Sequence, residues 1–99
     1  MRHMKAQPLF HRTRRLVDGS IVDMVIWQLP QIDAERPHGL KYRLYYGKDG
    51  RCLVCYDNER GKGDHRHIRD QELPYRFESV NKLMADFLVD VKQIRSEER

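Results

Sequence analysis

The apolar residues of this chain follow one spacing before Ser79 and another after it, and this change of period limits the possible folds. Between Leu40 and Tyr46 they stand at every second position, with basic residues between them, which is the alternation of a β-strand. After Ser79 they recur at three and four residues, which predicts an amphipathic helix over residues 79–96 with Ser79 as its N-cap. A sheet with one apolar face and such a helix can cover each other.

Two turn signals complete the predicted sheet. Asp18-Gly19 favours a tight hairpin between strands at residues 10–17 and 20–29, and Gly-Lys-Asp-Gly separates a third strand from a fourth that ends at Asp57. We therefore expect an α+β fold, in which a four-stranded antiparallel sheet of two β-hairpins carries the C-terminal helix on one face. The polar residues between sheet and helix, 58–78, are expected to form a loop.

Length and composition favour one domain over residues 1–99. The charged fraction is 34% and the hydrophobic fraction 39%, which is too apolar for a disordered chain. No apolar run approaches the roughly 18 residues of a membrane span. No apolar run of signal-peptide length follows the basic N-terminus. We expect a cytoplasmic protein with no membrane association and a loose leader at residues 1–8, starting at Met1 or Met4.

The positive charge favours an anionic partner. Nineteen Lys and Arg against 15 Asp and Glu give a net charge of +4, so nucleic acid is the first candidate and an acidic protein the second. The first 17 residues contain no acid. Within them, Arg12, Arg14 and Arg15 are candidates for RNA binding.

The two cysteines, Cys52 and Cys55, have the spacing of a zinc or redox motif. In a regular strand, residues three apart point to opposite faces. A structural zinc site also needs four ligands, and the nearby His-x-His is shorter than the usual spacing. We therefore expect reduced thiols packed in a strand, no metal and no cofactor. The acidic residues also lack the Asp/Glu-x-Lys pattern of many magnesium-dependent nucleases.

The stretch GKGDHRHIRDQELPYRF, residues 61–77, carries the candidate site. In an extended segment, His65 and His67 lie on one face about 7 Å apart, where they could act as general base and general acid. Asp64 would orient a histidine. The lysine of this stretch lies between two glycines, which let a phosphate approach the backbone closely. The candidate phosphate-binding residues are Lys62, Arg66, Arg69 and Arg76.

Other interpretations of this stretch remain open. A polar loop rich in histidine and arginine is usually a solvated surface, and Asp64 could simply pair with Arg66 or cap a turn. Tyr75 is a candidate proton donor, but Tyr75 and Phe77 could equally lock the loop to the core. The same groups would also suit binding of a phosphate backbone without catalysis.

The C-terminal third of the chain carries a G-K-x-D-H-R-H core, a P-Y-x-F segment and a helix with Leu-x-x-Asp-Phe, which are here Gly61, Lys62, Asp64, His65, Arg66, His67, Pro74, Tyr75, Phe77, Leu83, Asp86 and Phe87. In these motifs the chain resembles the TumE family, the toxins of bacterial toxin–antitoxin systems. Ile68 departs from it, because an aromatic residue is common there. The resemblance implies growth inhibition and a cognate antitoxin, typically a helix-turn-helix protein.

Together, the residues and the resemblance predict a toxin that cleaves RNA without a metal. RNA supplies its own 2′-hydroxyl as the nucleophile, so the chain needs no serine or cysteine for that role. The alternative is a non-catalytic module that binds nucleic acid or a protein. The sequence leaves a homodimer open.

Overall fold

We describe the protein from a computed structural model, and the description covers residues 5–59 and 63–98. Across these residues the chain forms six strands and one helix: β1 (Gln7–Arg15), β2 (Ile21–Gln28), β3 (Leu40–Lys48), β4 (Arg51–Asp57), β5 (His65–Ile68), β6 (Gln71–Pro74) and α1 (Val80–Glu97). The strands make one antiparallel sheet in the order β1-β2-β3-β4-β5-β6, so that each strand pairs with the next along the chain.

The helix packs on one face of this sheet, across β3 and β4. We call this the inner face and the opposite one the outer face. Ser79 caps α1, because its hydroxyl accepts a hydrogen bond of 3.1 Å from the Lys82 backbone N–H. The core joins alternate residues of the strands to one stripe of the helix: Val22, Met24, Ile26, Tyr42, Leu44, Tyr46, Val54, Tyr56, Leu83, Phe87, Val91 and Ile94. Over the described ranges, no helix is both long and apolar enough to cross a bilayer.

The prediction of four strands is wrong, because the segment expected as a loop contains a third hairpin. In it, β5 pairs with β4 and β6 pairs with β5, around a turn at Arg69 and Asp70. Arg69 adopts a positive φ of 55° there. The alternation of β5 is hard to recognise because its outer-face residues are both histidines and one of its inner-face residues is Arg66. Pairing with β4, rather than hydrophobic patterning, reveals the strand.

The first hairpin also differs in its bounds. Its turn spans residues 16–20, closed by a hydrogen bond of 2.8 Å from the Leu16 N–H to the Ser20 carbonyl, rather than Asp18-Gly19 alone. Strand β1 begins at Gln7, inside the segment expected as a leader. Residues 1–4 lie outside the described part of the chain.

A β-bulge in β4 overturns the expectation for the cysteines. Tyr46 lies opposite Val54 and Gly47 lies opposite Cys52, so Leu53 is the extra residue. The extra residue breaks the alternation that would send positions three apart to opposite faces. The two sulfur atoms meet, and Cys52 and Cys55 form a disulfide in place of the expected reduced thiols.

The first turn is tied to the end of the helix through Asp18, and this contact predicts a pH-dependent stability. The hydroxyl and backbone N–H of Ser20 donate to Asp18 and, with Arg95 at 3.2 Å, lower its pKa from 3.8 to about 2. Because the folded-state pKa is the lower one, the contact stabilises above pH 4 and is lost as pH falls from 4 towards 2.

Asp18→Asn is therefore expected to lower the melting temperature at neutral pH, and the difference from the parent should shrink towards pH 2. Thermal denaturation followed by circular dichroism at several pH values measures this. A difference that stays constant between pH 7 and pH 2 would contradict the assignment.

Candidate functional site

The two histidines of β5 lie together on the outer face of the sheet. They are two residues apart in a strand, so they share one face, as expected for an extended segment, and this is the face opposite to α1. The centroids of the His65 and His67 rings are 5.3 Å apart. Their surroundings differ, because the His65 side chain is only 8% exposed and the His67 side chain is 33% exposed. The pair therefore combines one enclosed imidazole with one that solvent can reach.

Strand pairing brings two carboxylates to these histidines. Asp57 lies opposite His65 on β4, and Glu72 lies opposite His67 on β6. Asp57 Oδ1 is 2.8 Å from His65 Nε2, and Glu72 Oε1 is 3.7 Å from His67 Nε2 and 3.8 Å from His65 Nε2. We call these four residues the histidine cluster. The sequence shows both acids, but only the register of the strands assigns them to the histidines.

The enclosed histidine has a defined tautomer. Nδ1 of His65 lies 2.9 Å from the carbonyl oxygen of Gly63, which can only accept, so this nitrogen carries a proton. Nε2 of the same ring therefore faces the two carboxylates. Although Nε2 of His65 is 2.8 Å from Asp57 Oδ1, that buried oxygen receives no hydrogen bond from any residue in the described part. The contact is close and electrostatic, without an aligned N–H.

Asp64 does contact a histidine, but it is His38 and not a member of the cluster. The Tyr42 hydroxyl donates a hydrogen bond of 2.7 Å to Asp64 Oδ1, and His38 Nε2 lies 3.2 Å from the same oxygen. Because His38 Nδ1 accepts from the Leu40 N–H at 3.1 Å, Nε2 carries the proton and donates to Asp64. Burial, with the bond to Asp64, raises the pKa of Tyr42 above its ordinary value. This contact joins the β2–β3 connection to the start of β5.

Arg66 points to the inner face, away from the histidine cluster. It lies opposite the buried Tyr56, and its Nη1 donates to the Tyr56 hydroxyl and to Asp90 Oδ2, each at 3.2 Å. The Tyr56 hydroxyl also donates to Asp90. Burial, with the bond to Asp90, raises the pKa of Tyr56. The arginine that sequence reasoning placed on a phosphate is therefore engaged with the helix.

Tyr75 and two other candidate arginines also lie near the helix. The Tyr75 hydroxyl donates a bond of 2.7 Å to Asp86, and this bond, with Lys82, lowers the pKa of Asp86. Arg69 Nη2 is 3.7 Å from Glu97 Oε2 at the helix end. Arg76 is exposed beside a shallow pocket on the helix side. Lys62 lies outside the described residues.

The arginines of β1 divide between the two faces. Arg12 lies opposite Met24 and Arg14 lies opposite Val22, which are both core residues, so these two arginines belong to the inner face of the sheet. Arg15 follows them on the outer face. All three side chains are exposed at the edge strand. They form a basic edge, but only Arg15 shares a face with the histidines.

Sequence reasoning missed a row of cations and aromatic rings on the outer face. Lys41 Nζ lies 5.6 Å from the centroid of the Trp27 ring, and the Arg43 guanidinium lies 5.4 Å from the Tyr45 ring. We call these four residues the cation–aromatic row. Arg43 is the register partner of Asp57, so the row adjoins the histidine cluster. The alternation of β3 was a usable signal, because the residues between its core positions, Lys41, Arg43 and Tyr45, must point to the outer face.

Comparison with known proteins identifies the family. The family model described as Toxin TumE matches residues 4–95, which is nearly the whole chain and includes both hairpins before the motif. Neither the curated proteins nor the solved structures gave a match. The match extends the resemblance of the motif stretch to the sheet and the helix, and the chain therefore belongs to the TumE toxin family.

Proposed function

We propose that this protein is the toxin of a toxin–antitoxin pair and that it acts in the cytoplasm on RNA, through the outer face of its sheet. The observation that carries the proposal is the cation–aromatic row beside the histidine cluster on one face. Membership of the toxin family implies an antitoxin partner, for which we propose a helix-turn-helix protein.

The row has the chemistry of a surface for single-stranded RNA. Aromatic rings stack on bases of any sequence, each stacked base contributing about 1–3 kcal/mol, and neighbouring cations bind the phosphates. Trp27 and Tyr45 are half-buried, so each ring is anchored in the sheet while part of it remains exposed to solvent. Lys41 and Arg43 are exposed on β3 between them. Arg15 would extend the positive charge towards the far edge of the sheet.

The proposed reaction is cleavage of the phosphodiester backbone by the RNA's own 2′-hydroxyl. His67, the accessible ring, takes the proton from the 2′-oxygen, which attacks phosphorus. The 5′-oxygen leaves with a proton supplied by His65, whose Nε2 lies 2.8 Å from the Asp57 carboxylate. The products are a 2′,3′-cyclic phosphate and a 5′-hydroxyl. No metal is needed in this proposal, because the RNA supplies the nucleophile and the two histidines transfer the protons.

The candidates near the helix have other roles in this proposal. Arg66 and Tyr75 hold the third hairpin against α1 through Asp90 and Asp86. Arg43, on the outer face, replaces Arg66 as the proposed phosphate ligand next to the histidines. The exposed Arg76 and Arg69 are left to bind RNA that continues around the edge of β6. Asp64 is proposed to position the β2–β3 connection.

A comparison of two double variants tests the choice of face. Lys41→Gln/Arg43→Gln and Arg12→Gln/Arg14→Gln remove the same charge from exposed positions on opposite faces of the sheet. The first is expected to weaken binding of single-stranded RNA and to reduce the salt slope of log K by about 1.4, which corresponds to two lost phosphate contacts. The second should leave both unchanged. Equal losses in the two variants, or no RNA binding by the parent, would overturn the proposal.

The second candidate is a non-catalytic RNA-binding toxin. The enclosure of His65 favours it, because a ring that is 8% exposed has little contact with a substrate. This candidate makes the same binding predictions for the cation–aromatic row. It differs in predicting no cyclic-phosphate product from any RNA and no loss of toxicity when the histidines are replaced. A homodimer fits either candidate.

A further inference from the structure

We propose that the histidine cluster is also a binding site for a divalent transition-metal ion of the zinc class, and that the bound ion blocks the acid–base pair. The binding part stands on the convergence of His65, His67 and Glu72, with Asp57 beside His65. The blocking part rests on the proposed cleavage of RNA.

The ligand atoms converge as a metal site requires. One ring nitrogen each of His65 and His67 and one carboxylate oxygen of Glu72 all lie within 4.8 Å of one another, and the two Nε2 atoms are 3.8 and 3.7 Å from Glu72 Oε1. Two ligands at zinc distances of about 2.0–2.1 Å from a tetrahedral ion are roughly 3.3 Å apart. Small rotations of the exposed Glu72 and His67 side chains close this difference.

The enclosed histidine is prepared for coordination. A metal-binding imidazole commonly donates its other N–H to a backbone carbonyl or carboxylate, which fixes the tautomer and turns the free lone pair towards the ion. His65 has this arrangement, because Nδ1 donates to the Gly63 carbonyl and Nε2 faces the cluster.

Asp57 provides the independent observation. Its Oδ1 is buried and receives no hydrogen bond within the described residues, although it lies 2.8 Å from His65 Nε2. A cation placed between these two atoms satisfies both of them, and either the proton of a cationic His65 or a metal ion can take that place. A metal ion bound by Nε2 and Oδ1 satisfies the orphaned oxygen. Asp57 is therefore the fourth proposed ligand.

The mixture of ligands selects the class of ion. Two imidazoles with two carboxylates suit zinc and its transition-metal neighbours, whereas magnesium and calcium prefer oxygen ligands alone. The four residues come from three hydrogen-bonded strands, which hold their backbones in register. A site on paired strands keeps its geometry better than one on a loop.

Metal binding and proton transfer exclude each other at this cluster. A coordinated imidazole must be deprotonated, and its Nε2 lone pair is occupied by the ion. Neither His65 nor His67 can then exchange a proton with RNA. The bound form of the toxin is thus expected to be inactive, and removal of the ion should restore cleavage.

Calorimetric titration of the chelator-treated protein with Zn²⁺, and absorption spectroscopy with Co²⁺, test the site. We expect one ion per chain and at least about a 10-fold loss of affinity in His67→Ala and in Glu72→Gln. Glu72 is about half exposed, so Glu72→Gln is expected to fold normally. It therefore tests the site even if His67→Ala fails to fold. His11→Ala is the matched control, because His11 lies on the same face with Asp23 as its partner. No binding by the parent, or an equal loss in His11→Ala, would overturn the site.

RNA cleavage with added Zn²⁺ or EDTA separates the two proposals. Inhibition by Zn²⁺ that EDTA reverses, and that needs at least about 10-fold more Zn²⁺ in Glu72→Gln, supports the block. Zn²⁺ binding with no cleavage under any condition refutes the proposed function and leaves the site standing. Cleavage that requires Zn²⁺ overturns the block and the metal-independent mechanism together.

Discussion

Replacing His67 by alanine is expected to slow RNA cleavage by roughly 10²- to 10⁴-fold, the range that a general acid or base contributes. His65→Ala should cause a loss in the same range, because its ring sits 5.3 Å away and carries the other proton. The loss is expected because the variant can no longer transfer the proton, and not because a surface charge is removed. The rate constant for formation of the cyclic phosphate, measured with EDTA present, reports it directly.

The control for this prediction lies on the same face. His11→Ala removes an exposed histidine of β1 that also has a carboxylate partner, Asp23 at 3.3 Å, but it is remote from the cluster in the strand order. It should cleave RNA at the parental rate. Growth inhibition in cells gives a second measurement, since both active-site variants should lose toxicity. If His65→Ala and His67→Ala remain as toxic as the parent, catalysis by these histidines is wrong.

Phe87→Ala is expected to lower the free energy of unfolding by about 3–5 kcal/mol. The Phe87 side chain is fully buried in the core, where its ring meets the Tyr56 ring edge-on with centroids 5.7 Å apart. The substitution removes the ring and leaves a cavity between helix and sheet. Few other single changes in a chain of this size would cost as much.

Leu88 provides the matched control for this second prediction. It is the next residue of α1 and is 46% exposed. Leu88→Ala should cost less than about 1 kcal/mol, since much of its side chain already meets water. Urea denaturation of both variants and the parent compares the three free energies. Similar losses of stability in the two variants would contradict the burial of Phe87 and mean that α1 turns another face to the sheet.

The helix supports the site as well as the core. Asp90 binds Arg66 of β5, and Asp86 binds Tyr75, which directly follows β6. These contacts hold the third hairpin, whose outer face carries His65, His67 and Glu72. Loss of helix packing in Phe87→Ala is therefore expected to loosen the histidine cluster as well. Phe87→Ala is thus expected to affect both the stability of the fold and the geometry of the histidine cluster.

Much of the fold was readable from local patterns. The spacing after Ser79 predicted the helix and its N-cap, and the alternation in β3 predicted that Tyr42 and Tyr46 face the core, where both are buried. Patterns of this kind depend on neighbours within a few residues. The third hairpin escaped because β5 presents histidines outward and Arg66 inward, so no hydrophobic alternation marks it.

For the candidate site, too, one part could be predicted from the sequence and another part could not. The sequence by itself determined that His65 and His67 share a face if their segment is extended, since a strand repeats every two residues, and that the charge of the chain favours an anionic partner. Only the tertiary structure decided what meets those histidines. The register across β4, β5 and β6 brings Asp57 and Glu72 to them, while a bulge at Leu53 joins the two cysteines. Such contacts depend on which strands pair and in what register, and no local spacing encodes that choice.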